Sequence, residues 1–254
     1  MIFDTHAHYD DESFDNDRDE LLESMSAGGV GRIVNISAGM ESAKASVLLA
    51  EKYDFIYAST GVHPEEIGKL TDSDIETLRE ISANEKVVAI GEIGLDYHYD
   101  EPSKELQKEW FVRQLELARD VKLPVIIHSR DAANDTLQIM QEHHAEEIGG
   151  VVHCFSYGWD MAKIYLDMGF YLGVGGVVTF KNGKKLKEVV EKMPLERIVL
   201  ETDAPYLAPE PNRGTRNTSL NLHDVVDVVA EIKGVSAEEV ERVTWDNACK
   251  MYRL

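Results

Sequence analysis

The chain opens Met1-Ile2-Phe3-Asp4-Thr5-His6-Ala7-His8, and the reading of this stretch decides the fold. Ile2 to Thr5 has the apolar, β-branched character of a short strand, and the residues just after it separate two architectures. A doubly wound open sheet that binds a dinucleotide needs Gly-x-Gly-x-x-Gly after its first strand, so that backbone amides can approach the phosphates. Here the first turn carries Thr5-His6-Ala7-His8, which offers metal ligands in place of a phosphate cradle.

Seven further runs of the same kind occur along the chain: Arg32 to Ile36, Phe55 to Ala58, Val87 to Ile90, Val125 to Ile127, Val151 to Val152, Phe170 to Val174 and Ile198 to Leu200. Their starts are about 28 residues apart on average, close to the roughly 30 that a strand and its returning helix consume. Hairpin strands recur at much shorter spacing. Helical signals fill the intervals. Ser103 is placed to cap a segment bearing Leu106, Trp110, Leu117 and Ala118 on one face; Ser236 and Glu239 form a capping-box pattern before Val240, Val243 and Ala248. Asp72 or Ser73 is the expected cap for the segment holding Ile75, Leu78 and Ile81. Eight such units, with no proline-rich or low-complexity break, predict a single-domain (β/α)8 TIM barrel over residues 1–254.

Composition is consistent with this and excludes other classes. Hydrophobic residues at 43% and charged residues at 29% suit a globular core and rule out collagen-like or mainly disordered chains. Against 47 Asp and Glu stand 26 Lys and Arg, a net charge of −21 that repels nucleic acid and acidic membranes unless charge is locally reversed. Two cysteines, Cys154 and Cys249, are too few for a disulfide framework and fit a reducing compartment. No basic segment leads into an apolar run at the N-terminus, and no long apolar span occurs, so a cytoplasmic protein with no membrane association is expected. No protein partner is implied.

In a barrel the reactive groups stand at the C-terminal ends of the strands. His6 and His8 end the first run, His63 the third, Glu92 the fourth, His128 the fifth, His153 the sixth, and Glu201 with Asp203 the eighth. Strand alternation puts His6 and His8 on one face together with Asp4, and Glu201 with Asp203. An isolated histidine is ordinarily a hydrogen-bonded structural side chain; His6, His8, Glu92, His128, His153 and Asp203 at equivalent positions argue instead for a metal centre. His98, His143, His144 and His223 fall in loops or helix-like stretches and take the structural reading. Cys154 should point away from His153 across its strand, toward burial. No Gly-x-Ser-x-Gly elbow and no Walker loop is present, which leaves metal-activated water as the strong hydrolytic candidate.

Five motifs in order, Thr5-His6-Ala7-His8, Gly91-Glu92-Ile93-Gly94-Leu95-Asp96-Tyr97, His128-Ser129-Arg130, His153-Cys154-Phe155-Ser156 and Glu201-Thr202-Asp203-Ala204-Pro205-Tyr206-Leu207, span almost the whole chain. Together they resemble the TatD-like metal-dependent deoxyribonucleases, within the amidohydrolase-type metal hydrolases. The resemblance implies two divalent metal ions, one held by His6, His8, Glu92 and Asp203 and the other by Glu92, His128 and His153, with Glu92 as the bridge. Many relatives outside the family bridge with a modified lysine instead. The family commonly carries Arg-Asn-Glu-Pro after Arg-Gly, whereas this chain has Arg213-Gly214-Thr215-Arg216-Asn217-Thr218-Ser219, so the metal ligands carry over further than the substrate contacts.

The implied activity is 3′ to 5′ exonucleolytic hydrolysis of DNA 3′ ends or short oligonucleotides, with Asp203 and Glu92 catalytic and Asp203 orienting water or taking its proton. His63, Arg130 and Arg213 are candidate phosphate contacts, although Arg130 has Asp131 and Asp135 as alternative partners. Glu201 either orients a metal ligand or is a structural buried carboxylate. Lys181, Lys184, Lys185 and Lys187 come after the seventh run, where cations oppose the helix dipole. The resemblance points to Mg in function, while the histidine-rich ligand set suits Zn, Mn, Co or Ni. The same constellation can hydrolyse a small ester, amide or lactone, and a non-catalytic metal-binding scaffold is the reading outside enzymology.

Overall fold

Eight strands form one sheet in the order of the sequence, and every neighbouring pair is parallel. The computed structural model describes residues 1–254. The strands are β1 (Ile2–Ala7), β2 (Val30–Asn35), β3 (Ile56–Thr60), β4 (Val87–Asp96), β5 (Val125–Arg130), β6 (Gly150–Val152), β7 (Tyr171–Val174) and β8 (Ile198–Leu200). Between and after them run α1 (Arg18–Ser24), α2 (Met40–Lys52), α3 (Asp72–Ser82), α4 (Lys104–Val121), α5 (Ala133–Glu142), α6 (Trp159–Asp167), α7 (Lys184–Lys192), α8 (Leu222–Lys233) and α9 (Ala237–Tyr252). The sheet nearly closes on itself: just past β8, Asp203 N donates to His6 O at 2.8 Å and His8 N to Ala204 O at 2.7 Å. This is the expected barrel.

The strands are nearly all buried because both faces are covered, the outer by helices and the inner by the facing strands. Phe3, Val88, Ile126, Val151 and Val199 fill the lower interior, and α9 closes that end with Trp245, Ala248, Met251 and Tyr252. Tyr252 Oη donates to Thr5 O at 2.8 Å, and Asn247 Nδ2 donates to Ile198 O at 2.8 Å, so the plug is hydrogen-bonded as well as packed. The closed base leaves the C-terminal strand ends as the open, polar face.

Three local expectations are corrected. The cap of α3 is Thr71, with its N–H donating to Asp74 Oδ2 at 2.7 Å, not Asp72 or Ser73. Of the expected box at α9, only one arm forms: Ser236 Oγ accepts from Glu239 N at 3.2 Å while the Glu239 carboxylate pairs with Arg242 at 2.7 Å. β4 continues six residues past the apolar run that ended at Ile90: Gly91 and Gly94 interrupt the apolar pattern, and the pairing with β5 shifts register between Ile90 and Ile93 and then runs on to Asp96. At α4 the expected cap holds, Ser103 Oγ accepting from Leu106 N at 3.4 Å.

Candidate metal centre

The extension of β4 carries Glu92 to the middle of the open face, where its two carboxylate oxygens look toward different neighbours. On one side Glu92 Oε2 lies 3.5 Å from His6 Nε2 and 4.0 Å from His8 Nε2. Asp203 Oδ1 completes this group at 3.6 Å from His6 and 3.4 Å from His8, and the two imidazole nitrogens are 3.2 Å apart. On the other side Glu92 Oε1 stands 2.6 Å from His153 Nε2 and 2.7 Å from His128 Nδ1, nitrogens themselves 3.3 Å apart. The His6 and His153 rings stack at 3.9 Å between the two groups. Six residues from β1 and its end, β4, β5 and the ends of β6 and β8 thus converge.

Donor chemistry tests whether these groups suit metal ions. His8 Nδ1–H donates to Ile36 O at 3.0 Å, which leaves the Nε2 lone pair facing His6, Glu92 and Asp203. Likewise Asp96 Oδ2 accepts from His128 Nε2 at 2.9 Å and leaves Nδ1 facing Glu92. Lone pairs and carboxylate oxygens packed this closely repel unless a cation sits among them. In the metal-free protein, protons serve. Burial lowers the basicity of His8, but Asp203 and Glu92 outweigh it and raise its pKa to about 9; for His128, Glu92 and Asp96 do the same, also to about 9. Burial, and next the charge of His153, lower His6 to about 4. The buried nitrogens His6 Nδ1 and His153 Nδ1 have no hydrogen-bond partner. The set is suited to divalent ions by ligand type and by convergence.

Asp96 was not singled out from sequence, although it lies four residues beyond Glu92 and on the same strand face once β4 is seen to continue. Its carboxyl resists the upward push of burial because His128 and the His98 N–H, which donates to Asp96 Oδ1 at 2.9 Å, hold the charged form. Ile36 O, a backbone acceptor, has no sequence signal at all.

Other expectations change in detail. Asp4 does not join His6 and His8. The register of β1 against β2 shifts between Asp4 and Ala7, so the alternation breaks there, and the Asp4 carboxylate instead accepts from Thr202 Oγ1 at 2.7 Å and Ser219 Oγ at 2.6 Å. Glu201 and Asp203 do not share a strand face, because β8 stops at Leu200 and Asp203 takes φ 58°. Glu201 turns inward against Gly173, where any Cβ would collide with its carboxylate. Its Oε1 accepts from Cys154 N at 2.5 Å and is 3.8 Å from His153 Nδ1, beyond hydrogen-bond range. Burial raises Glu201 to about 8. Cys154 lies past the end of β6 at φ 43° and is only partly buried, because the strand that was to turn it away from His153 ends at Val152.

The candidate phosphate contacts divide. His63 joins the site, its ring 4.3 Å from that of His128; burial, then the charge of His128, lower it to about 3, so it is a neutral N–H donor and no cation. Arg130 is half-exposed and lies 4.0 Å from Asp96, while Asp135 is held by Lys108 at 2.6 Å. Arg213 stacks on Phe180 at 4.2 Å and lies 3.9 Å from Glu210. His98, His143, His144 and His223 all stand outside the cluster; His223 Nε2, for example, donates to Gly28 O at 2.8 Å.

Comparison with known proteins places the chain in a family. The family described as TatD related DNase matches residues 3–253. A Bacillus subtilis (strain 168) protein, "Uncharacterized metal-dependent hydrolase YabD", is 45% identical over 254 residues, covering 100% of both chains. "Uncharacterized metal-dependent hydrolase YcfH" of Escherichia coli (strain K12) is 38% identical over 257 residues, covering 100% of this chain and 96% of the relative. The crystal structure of the TatD homologue YjjV from Escherichia coli K12 superposes with a TM-score of 0.93 at 33% identity, covering 100% of this chain and 98% of that one. With the barrel, the clustered donors and the match running nearly end to end, the chain belongs to the TatD-related DNase family of metal-dependent hydrolases.

Proposed function

We propose that the protein is a two-metal phosphodiesterase that removes nucleotides from DNA 3′ ends. The observation that carries this reading is the division of Glu92: one oxygen within 3.5 Å of the His6 group, the other within 2.7 Å of both His128 and His153. A carboxylate so placed would serve both donor groups, and paired divalent ions would supply the chemistry that in-line phosphoryl displacement uses. His6, His8, Glu92 and Asp203 would hold one ion and Glu92, His128 and His153 the other, with Mg, Mn, Zn, Co or Ni as the ions to compare. Bound there, divalent ions supply an acidified water and draw charge from the phosphoryl oxygens.

The remaining work falls to this chain's own groups. Against the push of burial, the His8 hydrogen bond and the charges of His153, His6 and His8 keep the Asp203 carboxyl below its ordinary pKa, so it is ionised at neutral pH and can orient a water and accept its proton. His63, just past β3, and Arg130, at the end of β5, flank the β4 strand that carries Glu92 and would donate hydrogen bonds to the phosphoryl oxygens as charge builds there. The family relationship supports DNA as the substrate. A 3′ to 5′ direction is part of the proposal.

The deciding experiment is a matrix of Mg, Mn, Zn, Co and Ni against 3′-labelled single-stranded DNA, a p-nitrophenyl ester and a lactone, run on wild type and Asp203→Ala. Metal-dependent loss of 3′ nucleotides, abolished in Asp203→Ala, is expected. Robust ester or lactone turnover with intact DNA would reject the nuclease in favour of carbonyl hydrolysis. Absence of any metal-dependent turnover would leave a metal-binding scaffold.

A further inference from the structure

The loop after β7 and the first turns of α7 read Lys181-Asn182-Gly183-Lys184-Lys185-Leu186-Lys187, four lysines without one acid, in a chain of net charge −21. Leu186 packs into the core, and Lys181, Lys184 and Lys185 are exposed with Lys187 partly so. None of the four has a carboxylate within 4.0 Å; the nearest acid in sequence, Glu188, is taken by Lys192 at 2.6 Å. Four uncompensated charges of one sign repel one another, and those on the helix also face the positive end of its dipole. Nothing in the fold rewards that placement.

Contacts lead from this patch back to the metal centre. Arg213 stacks its guanidinium on Phe180, the residue before Lys181, at 4.2 Å. Glu210 N donates to Thr179 Oγ1 at 2.8 Å, and Gly176 passes so close to Leu207 O that no side chain would fit. The loops after β7 and β8 therefore form one shoulder, and it begins at Asp203. Along it, directly after Ala204 and Pro205, stands Tyr206, 56% exposed, and then Leu207 at 37%. Among the large exposed apolar residues the only aromatics are Tyr206 and Tyr99, and both lie in loops on the open face of the barrel. An exposed aromatic beside the reactive site, leading to a run of free cations, is the combination that single-stranded nucleic acid requires: a surface on which a base stacks, then charges that track the backbone.

We infer that this shoulder, Tyr206 leading to Arg213 and the Lys181–Lys187 segment, is the track on which a single DNA strand lies as it extends from the metal centre. The inference rests on the nuclease reading and gives the enzyme its grip on the substrate beyond the bond cleaved. It also reconciles the acidic molecule with a polyanionic substrate, because repulsion elsewhere confines the strand to one path.

Binding separates this claim from catalysis. The full chain carrying Asp203→Asn, expected to hold the strand without turning it over, is titrated by fluorescence anisotropy into a labelled 20-nucleotide single strand across a range of salt. The same background carrying Lys181→Gln, Lys184→Gln, Lys185→Gln and Lys187→Gln is compared. Loss of four phosphate contacts is expected to weaken binding and to flatten the slope of log affinity against log salt by about 3. Tyr206→Ala is expected to weaken binding roughly ten-fold at unchanged salt slope. In otherwise wild-type enzyme, the lysine replacements should raise KM for the oligonucleotide while turnover of the small diester thymidine 5′-(p-nitrophenyl phosphate) stays the same. Unchanged affinity and slope in the lysine variant, or no strand binding by the parent, overturns the track. Strand binding through the lysines without cleavage of the strand would uphold the track and reject the nuclease.

Discussion

Asp96 shows how much a single residue outside the ligand set can decide. By accepting from His128 Nε2 at 2.9 Å it fixes which imidazole nitrogen faces Glu92. Removing such a carboxylate typically costs about 10–100-fold in metal affinity or activity. Asp96→Ala should therefore weaken metal binding by that order in a competition titration against a chromogenic chelator, with Asp96→Glu restoring part of it; equal affinity in all three proteins would remove Asp96 from the site. Gly173 is a second such position, since its missing side chain makes room for the Glu201 carboxylate. Gly173→Ala should lower stability by about 1–3 kcal/mol, as overpacking of a filled interior does. Urea denaturation monitored by tryptophan fluorescence measures it, and an unchanged midpoint would mean that Glu201 can move aside.

At the scale of elements, the seam between β1 and the segment after β8 matters most, because it joins His6 and His8 to Asp203. Asp4 is the rivet. It is fully buried, with a pKa that burial raises to about 6 while Ser219 and Thr202 pull it back down, and it binds Thr202 N, Thr202 Oγ1, Ser219 Oγ and His6 N. Thr202→Val keeps the shape and removes one donor from this carboxylate. The expected loss is about 1–3 kcal/mol, the cost of a hydrogen bond to a buried charged group. A double-mutant cycle with Ser219→Ala should show coupling, since the two hydroxyls share one acceptor. Additive losses in urea would show that the carboxylate adjusts independently to each.

For the whole molecule, the packed ligand groups tie stability to metal and to pH. Without metal, His8 and His128 have pKa values of about 9 against 6.5 for an unfolded imidazole. Each therefore adds stability that is present in full below pH 6.5 and is lost as pH rises through 9. Glu201, raised to about 8 from 4.5, acts in the same direction over its own range. Chelator-treated protein should lose melting temperature steadily from pH 6.5 to 9. Metal-loaded protein, whose ligands are already deprotonated, should melt higher and lose less Tm across that range, Glu201 alone contributing to the decline. Differential scanning calorimetry of both forms checks this; parallel pH profiles would show that metal and protons do not compete for the same groups.

The strand and helix alternation, and the placing of His6, Glu92, His128, His153 and Asp203 at strand ends, were legible in the chain itself because both result from local periodicity and from where each apolar run stops. Recognisable motifs around these residues extended that reading to the family. The tertiary structure alone decided how the side chains divide between the two oxygens of Glu92, that Asp4 turns away from the histidines, that Asp96 orients His128, and that Arg216 is held by Asp17 at 2.5 Å. Each of these depends on a register shift, on a strand continuing through glycines, or on contacts between residues far apart in the chain. Local sequence sets which face a side chain would take in an ideal strand; closing the barrel sets the distances across it, and metal chemistry depends on those distances.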